Sequence, residues 1–70
     1  MTLDQVKRGQ TCRIINICDE RIRAQAIRFG ICEGEKVVCE EVIKAGPIIL
    51  RKNNQQIALG RRVAGSIVVE

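Results

Sequence analysis

Cys12, Cys18, Cys32 and Cys39 are the side chains of this 70-residue sequence best equipped for chemistry. Four thiols suggest a zinc site or disulfides, because the thiolate is both the nucleophile and the metal ligand. Their spacing argues against a shared ion. Gaps of six and seven residues are not the Cys-x-x-Cys knuckles that bring two thiolates to one tetrahedral metal from a tight turn. Cys12 and Cys39 fall instead at alternating positions of apolar segments, near Ile14 and Val37. A free Cys in that setting behaves as a small hydrophobe. Cys32 differs, lying in a turn between Gly30 and Gly34, and is expected to be the most exposed of the four.

The remaining chemical inventory is short. There is no His, Trp or Tyr, and Phe29 is the only aromatic residue. Without His the usual general base at neutral pH is missing, as is the commonest zinc ligand after Cys. Without aromatic residues there is no stacking platform for single-stranded nucleic acid and no aromatic groove for proline-rich peptides. No nucleophile–base pair is visible, and Gly60-Arg61-Arg62 lacks the residues of a phosphate-cradling loop. The expectation is a non-enzymatic protein with no cofactor and no resident metal. Size points the same way: a chain this short hides only about 60% of its unfolded surface, leaving little core for a deep pocket.

Twelve Lys and Arg against eight Asp and Glu give a net charge of +4. Such a surplus steers a domain toward nucleic acid or an anionic membrane. The basic residues are dispersed, however, and no run exceeds two, as expected of an ordinary solvated surface. Asp4, Lys7 and Arg8 interrupt any apolar start, so no secretory leader is expected, and a cytoplasmic location is the default. The longest aliphatic runs, Ile48-Ile49-Leu50 and Ile67-Val68-Val69, are far too short for a membrane span.

The elements that must position these side chains are mostly strands. Ile and Val dominate an apolar fraction of 46%, and β-branched residues favour pleated, half-buried surfaces. Residues 1–9 read as a leader in which Leu3 and Val6 tuck inward and Thr2 caps a single turn. Strands are predicted over 12–17, 35–42, 48–52, 55–59 and 66–69, with Asn53-Asn54 as a hairpin turn and one helical turn at most over 60–65. Between the first two strands the period changes. Ile22, Ala26 and Phe29 recur at i, i+4, i+7 and are expected to face the core, while Arg21, Gln25 and Arg28 share another face. Asp19 suits the N-cap of this helix and Gly30 a left-handed C-cap. Residues 1–70 are expected to form one mainly β domain, a small SH3-like five-stranded barrel with one short α-helix after the first strand.

This order of elements resembles the FeoA family, small cytosolic proteins of bacterial ferrous-iron uptake, over nearly the full length. Leu3, Gly9, Ile14 and Ile17 are similar to the family's opening strand. The helix from Arg21 to Phe29, followed by Gly30-Ile31-Cys32-Glu33-Gly34, is similar to its helix and Gly-hydrophobic-x-x-Gly turn. Gly46-Pro47-Ile48 and Ile57-Ala58-Leu59-Gly60-Arg61 resemble its central hairpin, and Ala64, Ile67 and Val69 close the pattern. The family's turn often carries Pro where this chain has Glu33, a change that ordinary turn dihedrals accept. The resemblance implies an accessory role beside a FeoB-type ferrous-iron transporter, a membrane protein with a cytosolic GTP-binding domain, and it supplies no catalytic residues. Partner-binding residues are expected on the basic side of the helix and the turn after it: Arg21, Gln25, Arg28, Cys32 and Glu33. The alternative is a small basic SH3-like module that binds nucleic acid or regulates transcription. A related module ends some iron-dependent repressors, whose DNA-binding region precedes it, and seventy residues are expected to leave no room for one.

Overall fold

A computed structural model describes residues 1–70. A short 3-10 turn, Leu3–Gln5, leads into strand β1, Thr11–Ile17, and then helix α1, Glu20–Arg28. Strands β2 (Lys36–Val42), β3 (Ile48–Lys52) and β4 (Gln55–Leu59) follow, then the single-turn helix α2 (Arg61–Ala64) and strand β5 (Ile67–Val69). All five strands are antiparallel in one sheet of order β4-β3-β2-β1-β5. The sheet curls in the SH3-like manner expected, but the barrel stays open, since β4 pairs only with β3 and β5 only with β1 among the strands.

Period-two burial explains why these segments are strands. Cys12 and Ile14, Val37 and Cys39, Ile48 and Leu50, and Ile57 and Leu59 alternate inward along their strands, and every one is buried. Sixteen residues form one core, all of them apolar or Cys, with no charged residue among them. Leu3 and Val6 close it from the N-terminal side. The alternation breaks once in β1. The register against β5 shifts between Ile14 and Asn16, so Ile15 and Asn16 both point outward before Ile17 returns to the core. That bulge is the reason a large aliphatic side chain, Ile15, stands exposed within a strand.

A second irregularity lies at Glu40, where β2 shifts register against β3 between Cys39 and Glu41. The displaced carboxylate accepts hydrogen bonds from Arg51 Nε at 2.9 Å, from Arg51 Nη2 and from Gln56 Nε2. The chain's outer face is thereby laced across three strands. The Arg51 guanidinium, with Gln56 behind it, holds the Glu40 carboxyl below the usual carboxylate range. A carboxylate with a depressed folded pKa adds stability that is complete above the ordinary carboxylate pKa. That stability is lost as pH falls through the depressed value. Thermal unfolding of the native chain is therefore expected to fall more steeply on acidification than that of Glu40→Gln; parallel pH profiles would contradict this.

Candidate interaction site

Helix α1 is fixed at both ends by its own sequence. Asp19 Oδ1 accepts from the backbone N–H of Arg21 at 2.8 Å and of Ile22 at 3.3 Å. At the other end Gly30 takes φ +76°, a conformation that glycine reaches without Cβ strain. Ile31 N–H then reaches Ala26 O at 2.9 Å and Gly30 N–H reaches Ile27 O at 3.0 Å. These two bonds make a Schellman motif, completed by burial of both Ile31 and Ala26.

Two basic side chains tie the helix to the sheet. Lys52, at the end of β3, is only 17% exposed. Its Nζ donates to Gly30 O and lies 3.5 Å from Glu35 Oε2, so it caps the carbonyl end of the helix with positive charge. Arg23 Nη2 donates to Ile17 O at 3.0 Å and lies 3.5 Å from Glu33 Oε2, tying the helix to the end of β1. Sequence periodicity singles out neither residue, because both roles depend on which elements meet in space.

Between α1 and the end of β4 lies a groove of about 150 Å³. Ile22, Gln25, Ala26 and Phe29 line it from the helix; Ala58, Leu59, Gly60 and Val63 line it from the sheet and α2. Ala26 alone of the helix is fully buried. Phe29 departs from the expectation that it joins the core: it is 51% exposed, at the rim of the groove. The helix ends at Arg28 and rides at the margin of an open barrel, so small Ala26 reaches the core while the bulky ring one turn on overhangs it. Ile27, on the other flank, is 59% exposed.

The structure divides the residues expected to bind a partner. The side chains of Arg21, Gln25 and Arg28 make no hydrogen bond or ion pair within the chain, and Gln25 lines the groove. Glu33 is held instead by Arg23, on the side of α1 that faces β1. Cys32 is exposed, its thiol 3.7 Å from Glu35 Oε1. The site that emerges is the groove with the free guanidinium groups of Arg21 and Arg28 on the same helix. Phe29 and Val63 belong to it as well, although the sequence places Phe29 in the core and marks Val63 for no role.

The thiols separate into two classes. Cys12 and Cys39 are buried, and burial pushes both thiols up, helped by their mutual proximity at Cys12 and by Glu41 at Cys39. Deprotonation for metal binding or exchange runs against that shift. Nowhere do three or more His, Cys, Asp or Glu residues gather closely enough to hold a metal ion. A small thiol reagent is expected to label Cys18 and Cys32 rapidly in the folded chain and all four only in denaturant. Rapid native labelling of all four would contradict the burial of Cys12 and Cys39.

A family model described as FeoA domain matches residues 1–70. The chain belongs to the FeoA family. Solved structures agree in fold. A crystal structure of an iron uptake regulatory protein (FeoA) superposes with a TM-score of 0.90 at 24% identity, covering 99% of this chain and 93% of that one. The FeoA-like protein from Clostridium acetobutylicum gives 0.87 at 26% identity, covering 100% and 84%. A crystal structure of ScaR with bound Zn2+ gives 0.90 at 19% identity, but this FeoA-family chain spans only 36% of it. That likeness is one of fold alone. No curated protein sequence matches the chain. None of its helices is long and apolar enough to cross a membrane.

Proposed function

We propose that this FeoA-family chain is a non-enzymatic accessory protein of bacterial ferrous-iron uptake. It acts by contact with the cytosolic region of a FeoB-type transporter. Family membership supports the iron-transport role, and one observation carries the contact: an apolar groove with an overhanging aromatic ring, on a helix whose Arg21 and Arg28 are unpaired. A desolvated apolar centre with Arg at its margin is the usual composition of a binding hot spot. The groove is smaller than the ~300–1,000 Å³ of typical small-molecule sites, which favours a protein side chain as its occupant. Any GTP hydrolysis belongs to the partner in this reading, and the chain acts beside the membrane only through that partner.

The nucleic-acid alternative rests on the +4 charge. Arg8, Arg23, Arg51 and Lys52 are already committed to carboxylates, and only Arg13 and Lys36 stand cross-strand from one another as free cations. The open hollow they line offers no ring for a base to stack on. Co-purification of the tagged chain with the transporter's soluble cytosolic region tests the proposal. Retention of that region supports it; retention of RNA or DNA in its place favours the alternative.

A further inference from the structure

The two edges of the open sheet are treated differently. On β5, Thr2 bridges Val68 and the Val69 N–H donates to Met1 O at 2.8 Å, so the N-terminal residues cover the edge. Nothing covers β4. Its residues, Gln55-Gln56-Ile57-Ala58-Leu59, include no charge and no Pro, and its five-pair register against β3 has no bulge. Charges, Pro and bulges are the devices that ordinarily protect such an edge. The Asn53-Asn54 turn makes Lys52 and Gln55 the closing hydrogen-bonded pair. Alternation along the ladder then directs the N–H and C=O of Gln56 and Ala58 away from β3. No backbone hydrogen bond outside that ladder reaches either residue.

We propose that this edge takes up an extended, acidic segment of the protein partner as an added strand. One apolar side chain of that segment is seated in the groove between Phe29 and Val63. The inference rests on the proposed contact with the transporter and specifies its mode. Main-chain bonds to Gln56 and Ala58 supply affinity, and the adjoining groove, of which Ala58 is a wall, supplies side-chain selection. Charge selects the occupant. Arg21 and Arg28 on α1 and Arg62 on α2 lack partners, and no acidic residue lines the groove. Glu40, beside Gln56, is already bound by Arg51. A second copy pairing through its own β4 would set one +4 chain against another, which disfavours self-association.

Amide hydrogen exchange, followed residue by residue on the chain with and without the transporter's soluble cytosolic region, tests this. At saturation the Gln56 and Ala58 amides are expected to exchange at least tenfold more slowly. Ala58→Pro removes an outward donor and no β3 bond, so it is expected to weaken binding tenfold or more with Tm unchanged. Binding that leaves both amides exchanging at the free rate overturns strand addition while the transporter contact stands. Absence of binding overturns both. Slowing that grows with the concentration of the chain alone assigns the edge to a second copy and overturns the acidic segment.

Discussion

Reversing two charges on α1, with Arg21→Glu and Arg28→Glu together, is expected to weaken binding to the transporter's cytosolic region at least tenfold. That corresponds to about 1.4 kcal/mol or more. Neither guanidinium has a partner within the chain, so the reversal breaks no internal bond. Its effects on the helix itself oppose one another. A glutamate at position 21 sits in the first turn and suits the positive end of the helix dipole, whereas one at 28 sits in the last turn and does not. Each is worth about 0.3–1 kcal/mol, with opposite sign, so Tm is expected to change by only a few degrees. Calorimetric titration beside a thermal melt separates the two readouts. Unchanged affinity would remove Arg21 and Arg28 from the interface.

Ile31→Ala is expected to have the largest effect on folding of any single change near the site. Ile31 is fully buried although it lies in a connection rather than a strand, and its N–H closes the Schellman bond to Ala26. Truncating a buried Ile to Ala costs about 2–5 kcal/mol through lost transfer energy and the cavity left behind. A 70-residue domain holds only roughly 4–10 kcal/mol in total. A fall in Tm of about 10 °C or more is therefore expected, with α1 loosening from the sheet. Gly30→Ala acts on the same joint by another route: φ +76° strains any L side chain, and the added Cβ would stand 3.1 Å from Lys52 Nζ. A melt of Ile31→Ala within a few degrees of the native chain would contradict this account of how the helix is held.

Most of the fold was legible because its signals are local. Alternating apolar residues and the Asn53-Asn54 turn mark β3 and β4 to the residue, and Asp19 and Gly30 bracket α1 to within one residue of its ends. What escaped the sequence depends on three-dimensional placement. A 3.6-residue period puts Ile22, Ala26 and Phe29 on one face, but does not say that the helix rides at the edge of an open barrel, where Ala26 is buried, Ile22 packs half-buried against the core and Phe29 overhangs it. The bulges at Ile15 and Glu40 exist only relative to partner strands. The Lys52–Gly30 contact joins residues 22 apart in the chain, and nothing at either position announces the other. The candidate site inherits this mixture: Arg21, Gln25 and Arg28 follow from helix geometry, whereas the groove follows from how α1 meets β4 and α2.

Chemical-shift mapping of the isotopically labelled chain, titrated with the transporter's soluble cytosolic region, locates the contact surface residue by residue. Saturable perturbations are expected to concentrate on Arg21, Gln25, Arg28 and Phe29 and on the adjoining Ala58–Val63 segment, with little change around Arg13 and Lys36. Saturable perturbations centred on Arg13 and Lys36, with the α1 groove unmoved, would contradict the proposed contact.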